Sequence, residues 1–342
     1  MKDRNIARQL HEIDEQERIH QKIEGTTAEA LMQMEFPEMK WIIEPILPEG
    51  VTLFGGKPKE GKSVAVTNIS LGVALGGKAL GVDVERGGVI YLHLEDNQRR
   101  LQHRIGCMLP FDNYTGCQAP APGNLHLFHK WPRAGDGGLR ALDEFLTGEP
   151  DVRLVVIDTL KKFQATARDD RTKSGYDFDY EKVEPLRNLY EKHNVAILIV
   201  THTRKSDSED AVDLISGTLG LTGGVDNYII MRGRKGNRAK LYTGGRDINP
   251  EEFTLEYSPE VWTWNLLGPA SQVMATDNQQ AVLDFISEST QEEGQSKGVT
   301  LKDIIAAVDV KKSNLQNRVL PRLLELGRIA KAEHGVYYAI PA

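Results

Sequence analysis

Cysteine is nearly missing from this 342-residue chain. Only Cys107 and Cys117 occur, in neither a zinc nor a C-x-x-C spacing, which excludes a disulfide framework and a cysteine-built metal site. Long apolar runs are missing too; none approaches the roughly 20 residues that a membrane span needs, so no membrane partner is expected. The opening stretch MKDRNIARQLHEIDEQERIH is polar and charged and does not read as a secretory signal, which makes the cytoplasm the expected location. Positive charge is not in excess. With 42 Lys and Arg against 49 Asp and Glu, a net charge of −7 excludes a surface coated in positive charge, and any nucleic-acid contact has to come from a local basic channel. There is no internal repeat and no long low-complexity tract. What is present, 40% apolar and 27% charged residues, is ordinary for a soluble protein long enough for one large core plus smaller appendages.

Against that plain background one segment stands out. Phe54 to Ser63 reads FGGKPKEGKS, in which Gly56, Gly61, Lys62 and Ser63 complete the pattern G-x-x-x-x-G-K-[ST]. Glycines at those positions let the backbone curl so that its N–H groups point at phosphate oxygens. A lysine next to the second glycine adds charge near the β- and γ-phosphates, and a following hydroxyl can face Mg²⁺. The expected nucleotide-binding segment is therefore Gly56, Lys57, Pro58, Lys59, Glu60, Gly61, Lys62, Ser63 and Val64, with ATP and Mg²⁺ as the implied ligands. Val51 to Phe54 reads as a buried strand leading into it, and Lys62 to Leu75 as a helix whose N-terminus faces the anion.

From Val51 to about Leu267 the apolar runs Val51–Phe54, Val89–Leu94, Leu154–Ile157 and Val195–Val200 alternate with helix-like segments at 62–75, 99–108, 139–146 and 180–193. Valine-, isoleucine- and leucine-rich strands separated by helices imply a parallel sheet covered on both faces. Beyond His202, short alternating strands near 228–231, 241–243, 253–257 and 261–264 read as hairpins added to one edge. The expected layout is a helical leader at 1–47, an α/β core at 48–268, a linker at 269–277 and a small module at 278–342. That module reads as three helices followed by a hairpin, which is the winged-helix pattern, with a docking or oligomerisation domain as the alternative. From Thr300 to Gly335 it carries seven Lys and Arg against four Asp and Glu, and Pro321 is expected to kink or break its third helix.

Three strands end in polar residues. Asp158 closes Leu154–Ile157, where a carboxylate can hold Mg²⁺ together with Ser63. Val89–Leu94 ends in Glu95 and Asp96; a carboxylate there can take the proton of a water attacking the γ-phosphate, with Glu95 favoured and helix capping as the alternative role. Val195–Val200 ends in Thr201 and His202, and His202 is a candidate contact to the γ-phosphate or that water.

These residues together resemble the RecA-type P-loop ATPases, and more closely the ring helicases of the plasmid and phage RepA type and their AAA-family relatives. The resemblance spans about Glu44 to Leu267. It rests on PILPEGVTLFGGKPKEGKS, YLHLEDNQRRLQHRI, LVVIDTLKKF, ILIVTHTRK, SGTLGLTGGVDN and TGGRD in that order. It implies a RecA-like fold, Glu95 as catalytic glutamate, Asp158 on the metal side, His202 as a sensor, self-association into a ring, expected to be a hexamer, and single-stranded DNA in a central channel, with other replication proteins as further partners. Ring ATPases of this kind place a cation across the subunit interface. The related helicases carry a basic residue, a spacer and an arginine at the matching strand end, which makes Arg232 and Arg234 candidates, Arg234 the finger, and Arg246 a competitor. DNA contact is expected from Lys161, Lys162, Arg168, Arg171 and Lys173 in one loop and from Arg204 and Lys205 in another, although interleaved acids also suit ordinary surface loops. The function expected is a DNA helicase or helicase-like replication ATPase of a mobile element. The alternatives are a recombination ATPase that remodels DNA without unwinding it and a nucleotide-gated regulator.

Overall fold

The computed structural model describes residues 25–36, 38–112, 117–164, 183–203, 224–291, 298–332 and 335–340. Two compact units divide the chain at Met39. In the first, a single helical turn over Ala28–Leu31 is capped by Thr27, whose hydroxyl accepts the Ala30 N–H. The second, from Lys40 on, holds everything that follows.

Its centre is a nine-stranded sheet. In chain order the strands are β1 (Val51–Gly56), β2 (Gly88–His93), β3 (Leu125–Phe128), β4 (Val152–Asp158), β5 (Ala196–Val200), β6 (Asn227–Lys235), β7 (Arg238–Gly245), β8 (Glu251–Ser258) and β9 (Thr263–Pro269). In space they run β9-β8-β7-β6-β1-β5-β4-β2-β3. Every pair from β3 to β6 is parallel, and β7, β8 and β9 add antiparallel strands at the other edge. This is the RecA-like α/β arrangement with edge hairpins. The short edge strand β3, LHLF, escapes a reading of the sequence because its four residues are bracketed by loops and carry a histidine.

The pattern of side chains explains why the parallel strands form. Leu154, Val155, Val156 and Ile157 are all fully buried, as continuous apolar runs must be when both faces of a sheet are covered. One face packs on helices α1 (Lys62–Leu75) and α2 (Gln98–Met108) through Phe54, Val66, Ile69, Tyr91, Leu101 and Val156. The other packs on α3 (Gly138–Gly148) and α5 (Glu184–His193), on either side in sequence of the single turn α4 (Leu160–Phe163), through Leu53, Ile90, Leu142, Val155, Leu186 and Ile197. Each such side chain taken out of water contributes about 1.5–3 kcal/mol before entropy. Register then places the strand ends: Val200 pairs with Phe54 and with Asp158, and Asp158 pairs with His93, so β1, β5, β4 and β2 all finish at one rim.

The stretch read as a linker at 269–277 is not irregular. After Pro269 the sequence ASQVMATDNQQ contains no glycine or proline and is rich in helix formers, and Ala270–Gln291 forms one continuous helix, α6. Arg238 on β7 forms an ion pair with its Asp277. Farther along, Val282, Leu283 and Ile286 enter a separate apolar core with Ile304, Leu315, Val319, Leu320, Leu323 and Ile329. That core is completed by α7 (Leu301–Ala307), started by a Thr300/Asp303 capping box, and by a three-stranded antiparallel sheet of β10 (Val299–Thr300), β11 (Ile329–Lys331) and β12 (Val336–Ala339). Pro321 does not break the helical run from Lys312 to Glu325. A π-turn over Leu315–Val319 precedes it, in which the Leu320 N–H bonds the Leu315 carbonyl, and Pro321 falls in the first turn of α8 (Leu320–Glu325), where its missing N–H costs little.

Candidate nucleotide site

Where the parallel strands end, a cleft of about 410 Å³ opens. In parallel α/β sheets this carboxyl edge is where ligands bind. Its floor is the loop between β1 and α1. Gly61 has φ +107°, a conformation side chains rarely adopt, and a Cβ there would meet the Trp264 ring at 2.9 Å. A Cβ on Gly56 would meet the Met231 carbonyl at 2.7 Å. The loop is bare of side chains on that side because β6 and β9 press against it. Lys62 is 5% exposed, and its ammonium donates to the carbonyls of Gly56 at 2.5 Å and Lys57 at 3.0 Å. Burial lowers its pKa, opposed by Asp158, Glu60 and Glu95. The shape and charge fit a phosphate: glycines bare the backbone, a helix begins at Lys62, and a buried cation waits on weak carbonyl acceptors.

Opposite Lys62 lies Asp158, 5% exposed at the tip of β4, accepting a hydrogen bond from the Tyr91 hydroxyl at 3.2 Å. Burial raises its pKa from 3.8 to about 6; the Tyr91 bond and Lys62 oppose the shift and Glu95 adds to it. Burial likewise pushes the Tyr91 hydroxyl well up. A carboxylate so poorly compensated suits a divalent cation, with the Ser63 hydroxyl on the facing helix as the other donor.

The same shift makes a stability prediction. Because the folded-state pKa lies above the ordinary one, ionising Asp158 costs more in the folded chain than in the unfolded one. The penalty is absent well below pH 3.8 and is complete once the pH has risen through about 6. In nucleotide-free protein Asp158→Asn should therefore raise unfolding stability by about 2–3 kcal/mol at pH 7.5 and by about a third of that at pH 4.5. Urea unfolding at the two pH values measures it; a gain that does not change with pH would contradict the assignment.

His202 lies between Lys62 and Glu95, its Nδ1 3.4 Å from Lys62 Nζ and its Nε2 3.4 Å from Glu95 Oε2. Glu95 is half-exposed to the cleft. Asp96 is not free: its carboxylate accepts from Arg100 Nε at 2.6 Å, Arg104 Nη2 at 2.8 Å and the Asn97 N–H at 2.9 Å. Burial works to raise its pKa, and the two arginines outweigh this and hold it low. Asn97 caps α2 by accepting the Arg100 N–H. The structure thus divides the acidic pair, Asp96 fixing the loop and Glu95 facing the cavity. Arg104 is nearly buried, donates to Thr67 Oγ1 at 3.3 Å, and leaves its Nε without a partner among the described residues. Thr67 donates in turn to the Ser63 carbonyl. Reasoning from the sequence missed this Asp96, Arg100, Arg104 and Thr67 bracket; the signal was the D-x-x-x-R-x-x-x-R spacing, which puts both arginines on one helix face below an acid just before the helix cap.

Arg234 lines the cleft as well. Met231 pairs with Gly56, so the end of β6 runs beside the phosphate loop; the Arg234 N–H donates to Glu60 at 2.9 Å, and its guanidinium lies over the Tyr257 and Trp264 rings at 5.2 and 5.3 Å. Arg232 is elsewhere, ion-paired to Glu252 at 2.9 Å across the edge sheet. Arg246 follows β7 at the opposite end of the sheet, its N–H on the Asp226 carbonyl. Of the basic loop residues, Lys161 and Lys162 are exposed on α4, while Arg168, Arg171, Lys173, Arg204 and Lys205 lie outside the described residues. No cluster of three or more His, Cys, Asp or Glu side chains forms a metal site among the described residues, and none of their helices is long and apolar enough to cross a membrane.

An AAA domain family matches residues 16–208, more than half of the chain. No curated protein matches. Among solved structures, a DnaB-like replicative helicase, determined together with its interactions with primase, aligns with a TM-score of 0.50 over 76% of this chain and 74% of that one, at 14% identity. At that identity the likeness is one of fold.

Proposed function

Since the chain belongs to the AAA domain family, we propose that it hydrolyses ATP and uses the energy to move along or unwind DNA, as a ring-forming, helicase-like replication protein of a plasmid, phage or other mobile element. The observation that carries this reading is the convergence of Lys62, Ser63, Glu95, Asp158, His202 and Arg234 on one cleft at the carboxyl end of a parallel sheet. The fold likeness to a replicative helicase supports it.

In this reading the phosphates of ATP lie on the backbone N–H groups of 56–63 and draw the Lys62 ammonium off its two carbonyls. Ser63 and Asp158 would hold Mg²⁺, which would supply charge neutralisation at the phosphates. Glu95 accepts the proton of the attacking water. His202, already within reach of Lys62 and Glu95, can register whether the γ-phosphate is present, and it precedes one of the two basic loops expected to hold DNA. Arg234 neutralises charge developing on the γ-phosphate of the neighbouring subunit in a hexamer, with single-stranded DNA in the channel. The test is strand displacement on a forked duplex. ATP should support displacement and a non-hydrolysable analogue should not; ATP turnover without displacement would move the protein to the remodelling class.

A further inference from the structure

The C-terminal module carries a surface that the ATPase cleft does not use. Its helical run begins KKSNLQNRVLPR at residues 311–322, four basic residues and no acid in a chain whose net charge is −7. Leu315, Val319 and Leu320 turn inward to the module's core. Lys311, Lys312, Gln316, Asn317 and Arg318 remain exposed on the outside. Among the described residues none of these five side chains has a hydrogen bond or ion pair, in contrast to exposed Arg100, Arg140 and Arg238, which are held by Asp96, Glu144 and Glu256. Beside the run a groove of about 670 Å³ is lined by Asn278, Asn314, Asn317, Arg318 and Lys311, with Asp309 its one acid.

We infer that this face is a docking site for duplex DNA, separate from any DNA held by the ATPase core. The occupant follows from charge and chemistry. Exposed lysines at the start of a helix suit backbone phosphates. Amides and an arginine one turn on are the groups that pair bidentately with adenine and guanine edges in a major groove, which admits one helix. Three helices with a small antiparallel sheet present their last helix in this way in winged-helix proteins. The π-turn widens the run where Gln316, Asn317 and Arg318 project, and such turns recur at functional sites. The ATPase would then be recruited to a duplex site by one module and act on single strands with another. The inference does not depend on hydrolysis, because the surface lies on a core of its own.

The experiment uses the full chain, with fluorescence anisotropy of a labelled mixed-sequence duplex and of the matching single strand, across a salt series. Wild type should bind the duplex with an affinity that falls steeply with salt. The Lys312→Ala, Asn317→Ala, Arg318→Ala triple variant should lose about tenfold or more in duplex affinity and show a shallower salt dependence. Its ATP turnover, any single-strand stimulation of that turnover and its unfolding midpoint should match wild type, since all three positions are exposed and unpaired. Equal duplex binding by wild type and variant would overturn the inference, and so would no duplex binding by wild type, which would leave the face to a protein partner. Selection from a random-sequence duplex pool checks base reading: a shared motif should emerge with wild type and fade with Asn317→Ala, and an unenriched pool would contradict it.

Discussion

Arg234→Ala is expected to leave nucleotide affinity within a few-fold of wild type and to cut turnover in the assembled protein by about 10³-fold or more, the effect of removing an arginine finger. The magnitude follows from what the guanidinium does. It meets charge that appears only as the γ-phosphate departs, so its loss raises the barrier and leaves ground-state binding nearly untouched. In the single chain Arg234 rests over Tyr257 and Trp264 beside its own phosphate loop, so the question is which subunit's ATP it serves. Two inactive variants answer it. Lys62→Ala lacks the phosphate-binding ammonium but keeps Arg234; Arg234→Ala keeps Lys62. If the finger acts across a head-to-tail interface, a random mixture rebuilds about a quarter of the interfaces intact and regains activity. If it acts within its own chain, no mixture is active and the assignment across subunits fails.

The second large effect is expected at Glu95. Glu95→Gln keeps the shape of the side chain and removes the proton acceptor, and turnover should fall about 10²–10⁴-fold, the usual worth of a positioned general base. Nucleotide binding should persist, since Glu95 holds no phosphate in this account. Asp96→Asn is the control, because the two acids are neighbours at the same strand end. Asp96 is bonded to Arg100, Arg104 and the Asn97 N–H, so its loss should lower thermal stability and reduce turnover far less than Glu95→Gln does. If Asp96→Asn is the more damaging change at equal stability, the roles are reversed.

How much of this was legible beforehand differs from element to element. The phosphate loop could be read because its glycines are dictated by local backbone geometry, visible in Gly61 at φ +107°. The parallel strands could be read because burial on both faces leaves uninterrupted apolar runs, as in Leu154–Ile157. The convergence of Glu95, Asp158 and His202 followed from their places at strand ends, since parallel strands in register bring those ends to one rim. What could not be read depends on contacts distant in sequence. Nothing local says that Trp264 packs beneath Gly61, or that Tyr91 donates to Asp158 across two strands. The expected linker failed for a different reason: 270–277 is largely exposed but helical by propensity, and its helix forms in continuity with the buried turn at Val282–Ile286.

The account rests on one coupling, between ATP hydrolysis at this cleft and DNA held by the assembled protein. The most direct test is the steady-state ATPase rate with and without single-stranded DNA. Turnover that rises severalfold on adding the strand, and that Lys62→Ala removes, is the expected result. Turnover that ignores the strand would contradict the motor reading and leave a nucleotide-gated regulator in its place.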